Sequence, residues 1–287
     1  MDMNRPRSKR FPIVLRTVSP RRQQILAALA RYRYLDSKHI FAFIGCANSN
    51  AKSDLRHLYD AGLIDRLPNN LFRRDRLKDP QVYEITDDGS DYLDQRNLTP
   101  RRATWLRAGT RGTPVHNLVL CLALASFEMA VTKAGLRFIA WEEILVRAPE
   151  ATRLLKSPHR FPVTGGELVP DAICSVEYPD QFRIFAWEID LSNHGEKEYA
   201  AKARGYQELI FKGIYKRQLG MQQPMTVLTI TTNIPRRDTM AALAKDKPFL
   251  FKTIPEYGSY EIAPAPALSI LDNWHRATHP PVNLKEV

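Results

Sequence analysis

The stretch LRHLYDAGLIDRL, Leu55–Leu67, decides the reading of the N-terminal third. Leu55 and Leu58 recur at helical spacing and mark the inward face of a helix expected over about Ser49–Ala61. Gly62 stops that helix, because glycine adopts the left-handed backbone at little cost. Leu63-Ile64 then open a strand. A turn over Pro68–Pro80, rich in Arg and Asn, leads back into a second strand at Gln81–Ile85. Thr86-Asp87-Asp88-Gly89 caps a further helix through Tyr92 and Leu93.

Upstream, Ser19-Pro20 supplies an N-cap and a proline at the first helical position, followed by Ile25, Leu26, Leu29 and Tyr32 at helical spacing. Asp36 caps a short second helix with Ile40, Phe41 and Phe43 as its apolar face, and Gly45 ends it. Two helices, a third helix and a basic two-stranded hairpin make a winged helix-turn-helix over residues 19–96, behind a basic tail at 1–18. In that fold the third helix enters the major groove and the wing reaches the flanking backbone or minor groove. Lys52, Arg56 and the wing residues Arg73, Arg74, Arg76 and Lys78 would neutralise phosphates. Asn48, Ser49, Asn50 and Ser53 are placed to meet base edges. For each residue alone, a solvated helix face is an equal alternative.

Charge points the same way. The 287-residue chain carries a net +11. Residues 1–111 hold 22 Lys and Arg against 12 Asp and Glu, net +10, whereas the remainder has 20 against 19, net +1. Such segregation predicts a polyanion partner, here double-stranded DNA. Cys46, Cys121 and Cys174 are odd in number and widely spaced, which fits neither a disulfide framework nor a zinc site. No apolar run is expected to span a bilayer, and the basic start has no secretory apolar segment, so a cytoplasmic protein is expected. Arg96–Thr113, with Arg101, Arg102, Arg107 and Arg111 among turn formers, reads as a basic linker, and a helix packing on either domain is an equal alternative for part of it.

Residues 114–287 read as an α/β domain with a mixed central sheet. Its expected elements are a buried helix at Val115–Lys133 and strands at Leu136–Leu145, Leu168–Glu177 and Phe182–Asp190. A long helix at His194–Tyr215, a strand at Met225–Thr231, a helix at Arg237–Lys245 and a strand at Phe249–Ile254 complete it. Glu188 and Asp190, two apart on one strand, share a face, and Asp171 on the preceding strand brings a third carboxylate alongside. Three buried carboxylates need positive charge, which Mg²⁺ or Mn²⁺ supplies while leaving positions for water and phosphate. Lys202, four residues before Tyr206, projects toward the same place. Phosphodiester hydrolysis suits this set, with Asp171, Glu188 and Asp190 as metal ligands and Lys202 steadying charge. The alternative is a strand face whose Glu188 and Asp190 pair with a nearby Lys or Arg.

The order P-D (Pro170-Asp171), E-x-D (Glu188 to Asp190) and K-x-x-x-Y (Lys202 to Tyr206) resembles the PD-(D/E)xK nuclease superfamily. With a winged helix ahead of it and His116 heading the second domain, the chain from about Ser19 to Thr253 resembles the replication-relaxation family. The resemblance implies a relaxase or nicking endonuclease of the C class, acting at a plasmid or mobile-element origin in transfer or replication. It makes Asp171, Glu188 and Asp190 metal ligands and Lys202 the catalytic lysine, with Lys197 as substitute. The superfamily's usual lysine, two residues after the acid, is here Asp190. Tyr206 stands as an alternative nucleophile, as in tyrosine relaxases. Two other functions stay open: a DNA-binding regulator or replication accessory factor with a non-catalytic nuclease-like domain, and a ligand-sensing repressor. The sequence leaves the oligomeric state open, a homodimer among the options.

Overall fold

The computed structural model describes residues 17–72, 79–99, 113–191, 195–244, 248–258 and 264–286. They form two compact units, Met1–Ala125 and Ser126–Val287.

In the first unit, helix α1 (Pro20–Tyr32) starts at Ser19-Pro20 and buries Ile25, Leu26 and Leu29. A two-residue strand β1 (Leu35–Asp36) follows, then α2 (Ser37–Ile44), α3 (Asn48–Asp60), β2 (Ile64–Leu67), β3 (Val82–Ile85) and α4 (Asp87–Gln95). Asp36 accepts from the His39 N–H at 3.0 Å to cap α2, and Gly45 closes it at φ 59°. Thr86 caps α4 by accepting from Gly89 N–H at 3.1 Å, and its hydroxyl donates to the Gly62 carbonyl at 2.6 Å. Gly89 lies so close to the Leu63 carbonyl that an added Cβ would stand 2.1 Å from that oxygen. β2 and β3 pair antiparallel, Ile64 opposite Ile85, and β1 joins the other edge of β3. The third strand was not expected; two residues are too few for periodicity to show. The core gathers Ile25, Leu29, Leu35, Leu55, Leu58, Val82 and Ile85 with Leu118, Leu122 and Ala125.

Those last three belong to α5 (Pro114–Lys133), which runs through the division between units. Its 20 residues reach the length and apolarity of a membrane span, contrary to the expectation of no such run. The side chains that give this composition, Leu118, Leu122, Phe127 and Val131 among them, are buried in the protein.

The second unit centres on a five-stranded sheet in the order β10-β9-β8-β7-β4. Its strands are β4 (Arg137–Ile139), β7 (Ala172–Glu177), β8 (Phe182–Asp190), β9 (Met225–Thr231) and β10 (Phe249–Thr253). β8, β9 and β10 are parallel, while β7 and β4 are antiparallel to their neighbours. This is the mixed α/β sheet expected. The crossover helices are α8 (Glu196–Phe211), extended by α9 (Ile214–Leu219), and α10 (Ile234–Ala244). Tyr199, Ala203, Tyr206, Met240 and Ala241 from these helices cover the face carrying Ile184, Ala186 and Val227. On the other face Trp187 meets Phe127 at 4.9 Å and Trp274 at 6.1 Å between centroids, both edge-on, and its indole N–H donates to Cys174 Sγ at 3.2 Å.

Several boundaries differ from the sequence reading. Leu136–Leu145 is not one strand. β4 ends at Ile139, and α6 (Trp141–Arg147) begins with Glu142 and Glu143 in its first turn, where acids suit a helix N-terminus. The segment after it contains α7 (Glu150–Arg153) and a hairpin of β5 (Phe161–Val163) and β6 (Gly166–Leu168). The strand expected at Leu168–Glu177 is broken at Val169-Pro170, since Pro170 has no N–H to give a ladder. The long helix is split at Gly213, whose φ of 63° turns the chain between α8 and α9. All three cysteines are free thiols.

Candidate active site and basic helix face

The register of the β7–β8 pair explains why Asp171 and Glu188 come together. Ala172 lies opposite Trp187, and the Asp171 N–H donates to the Trp187 carbonyl at 3.0 Å, so Asp171 extends the ladder beside Glu188. One Asp171 carboxylate oxygen accepts from the Ile189 N–H at 2.9 Å, which anchors it over β8. Glu188 is 6% exposed at the carboxyl end of a central parallel strand, where open α/β sheets place ligands. From α8, Lys202 and Tyr206 both donate to it, one to each carboxylate oxygen. A K-x-x-x-Y spacing on a helix makes this grip available, since residues four apart share a face.

Burial, then the charge of Asp171, pushes the Glu188 carboxyl up to about 7, against the opposing influence of Lys202 and Tyr206. Burial alone would lower the Lys202 ammonium, but the charges of Glu188 and Asp171 outweigh it and raise its pKa. The Tyr206 phenol is raised well above its ordinary value by burial and by Glu188. Tyr206 is 1% exposed, so its hydroxyl faces Glu188 rather than solvent.

Asp190 has a different partner. Arg236, in the first turn of α10, grips it with both ends of the guanidinium: Nη2 at 2.8 Å and Nε at 3.1 Å. Asn233 Oδ1 accepts from the Arg236 backbone N–H at 2.8 Å and fixes that turn. Among the described residues no three Asp, Glu, His or Cys side chains gather as a ligand group, so the expected three-carboxylate set is not assembled here. Asp171 and Glu188 are together; Asp190 is turned into an ion pair. Sequence reasoning missed Arg236, which stands 46 positions from its partner with no spacing to connect them. The fallback Lys197 is exposed on the first turn of α8.

In the first unit, Asn48, Ser49, Asn50, Lys52, Ser53 and Arg56 are all exposed on α3. Arg56 Nε lies 3.7 Å from Asp60, one turn on, and His57 Nδ1 donates to the Ser53 carbonyl at 2.7 Å. The same helix buries Asp54, which receives Arg21 and Arg22 from α1. This acid was legible as an oddity, a carboxylate flanked by core positions Ala51, Leu55 and Leu58, but its partners were not. Arg73, Arg74, Arg76 and Lys78, the expected wing contacts, lie outside the described residues, as do 100–112 of the linker and His194.

Residues 26–224, more than two thirds of the chain, match a family model described as replication-relaxation. No curated protein and no solved structure matches the chain.

Proposed function

The chain belongs to the replication-relaxation family, and we propose that it is a metal-dependent, site-specific DNA nickase of a plasmid or mobile element, acting in transfer or replication. Residues 19–96 act as a winged helix-turn-helix on double-stranded origin DNA, and the second unit acts as a PD-(D/E)xK-like nuclease. The observation that carries this reading is the Asp171–Glu188–Lys202 group at the carboxyl end of β8.

A divalent cation fits the first two of these residues. Glu188 is a buried acid whose ionisation is opposed by burial and by Asp171, and that repulsion is what a cation relieves. Mg²⁺ is commonly held by one or two carboxylates plus substrate phosphate and water, so a third protein carboxylate is not required. Asp171 and Glu188 would hold Mg²⁺ or Mn²⁺, which supplies Lewis acidity and an activated water. The chain's own residues do the rest. The Ile189 N–H orients Asp171. Tyr206 orients Glu188. Lys202, partly exposed beside Glu188, stabilises negative charge developing on the scissile phosphate. Tyr206 is buried and bound to Glu188, which favours water over tyrosine as nucleophile. Asp190 contributes through Arg236 rather than as a ligand.

The test is relaxation of supercoiled plasmid carrying the native origin, with Mg²⁺ or Mn²⁺. Metal-dependent nicking by the native chain that is lost in Asp171→Asn supports the reading; no nicking with either metal ends it. One observation favours a second reading. Glu188 and Asp190 each hold a protein cation, Lys202 and Arg236, and such pairing also serves a purely structural core. In that case the protein is a DNA-binding accessory factor, and origin binding persists without nicking.

A further inference from the structure

Arg21 and Arg22 are consecutive residues in the first turn of α1, and both aim Nε at the Asp54 carboxylate of α3. Arg22 Nε stands 2.8 Å from Oδ1, and Arg21 engages Oδ2. Asp54 is 2% exposed, whereas the side chains of Arg21 and Arg22 are 39% and 19% exposed. One guanidinium would suffice to neutralise a single carboxylate. Two leave a surplus positive charge, carried on groups that reach solvent. A guanidinium has five N–H donors in a planar fork suited to phosphate oxygens, and the Nε–Asp54 contacts engage one donor on each.

The location of this surplus charge is informative. On α3, Asn50 is four residues before Asp54 and His57 three after, so both adjoin it on the helix surface. Asn50 and Ser53 are exposed there. Asp54, which both arginines engage, is thus a helical neighbour of Asn50 in the strip of α3 read as meeting base edges. Burial alone would raise the Asp54 carboxyl, but hydrogen bonds from Arg21 and Arg22 outweigh it and the pKa is lowered. The acid stays charged and holds both arginines in place.

We propose that Arg21 and Arg22 form a preset clamp for a DNA backbone phosphate, with Asp54 as its positioning residue. The inference rests on the DNA-binding reading and deepens it. It makes α1, not only α3 and the hairpin, part of the DNA interface. It also gives the N-terminal unit a contact that does not depend on base sequence.

The experiment is fluorescence anisotropy of the full chain with a labelled, mixed-sequence duplex of about 20 base pairs across a salt series. Arg21→Gln and Arg22→Gln are each expected to reduce the slope of log K against log salt by about 0.9 and to weaken binding about tenfold. Asp54→Asn supplies the sharper readout, because it adds a positive charge. Bare electrostatics makes it bind DNA tighter; loss of the positioning carboxylate makes it bind weaker. Arg21→Lys retains the charge, and is expected to keep the slope while losing affinity. Because Arg21 is partly exposed, its variants carry the test even where Asp54→Asn unfolds. Unchanged slopes in both Gln variants, or tighter binding by Asp54→Asn, overturn the clamp while the DNA-binding reading stands. A native chain with no salt-dependent duplex binding overturns that reading, and the clamp with it.

Discussion

Asp54 in the first unit and Glu188 in the second are both buried acids held from a neighbouring helix, and they end on opposite sides of their ordinary pKa. Burial raises both. Asp54 receives two arginines and its pKa is lowered. Glu188 receives one lysine and a phenol, faces the like charge of Asp171, and is raised to about 7. The contrast teaches that burial sets only the cost of a charge. The number and sign of the partners decide whether that cost is met. A carboxylate satisfied twice over is a fixed anchor. A carboxylate left short of positive charge is poised to accept more, as a cation site must be.

The largest effect that would break this comparison is chemical. Glu188→Gln and Asp171→Asn are each expected to lower plasmid nicking a thousandfold or more, about 4 kcal/mol in barrier. Gel-resolved nicking rates check this, and retention of even a tenth of the native rate in either variant would remove the contrast between anchor and working acid.

Next in size is the packing behind Glu188. Trp187, fully buried on the opposite face of the same strand, packs against Phe127 and Trp274 and backs β8. Trp187→Ala is expected to cost about 3–5 kcal/mol in urea unfolding. A loss under about 1 kcal/mol would mean that the strand is not backed in this way.

The two acids should also oppose each other in pH dependence, measured without metal in EDTA. Glu188 has a folded pKa of about 7 against an ordinary 4.5, so the folded chain holds its proton more tightly. Stability should therefore fall as pH rises from about 4.5 to 7, by roughly 3 kcal/mol in all, and Glu188→Gln should flatten that limb. Asp54 lies below its ordinary 3.8. Its contribution is present above that value and is lost as pH falls through the folded pKa, a limb that Asp54→Asn should remove. Slopes of the same sign from both sites would refute the partner-counting account.

The smallest predicted effect concerns the first unit's joint between hairpin and helix. Thr86→Ala removes the α4 cap and the hydroxyl bond to Gly62, and should cost about 1–2 kcal/mol. Calorimetric melting checks it, and no change would show that the Leu63 and Gly89 backbone packing carries the joint alone.

The family, several helix ends and the central strands β8 and β9 were legible in the amino acids because they rest on local chemistry. Pro20, Asp36, Thr86 and Gly45 each mark a helix end through their own backbone or side chain. Phe182–Asp190 and Met225–Thr231 appear as strands with the bounds expected, since a continuous β-rich run between turn formers admits little else. Local signals failed where a tertiary partner prevails. Trp141–Arg147 has strand-like residues, yet forms a helix that buries Ile144 and Leu145. The P-D, E-x-D and K-x-x-x-Y spacings likewise located Asp171, Glu188, Lys202 and Tyr206, because period-two and period-four rules put such residues on shared faces. Those rules hold within one element or across one hairpin. The fate of Asp190 depended on α10 delivering Arg236 from 46 positions away. That of Asp54 depended on α1 presenting two arginines from more than 30 positions upstream. Sequence determined which charges sit on which elements. Only the packing of those elements decided which cation each buried acid would hold, because in a low-dielectric interior an ion pair is set by distances of a few ångströms that no spacing along the chain encodes.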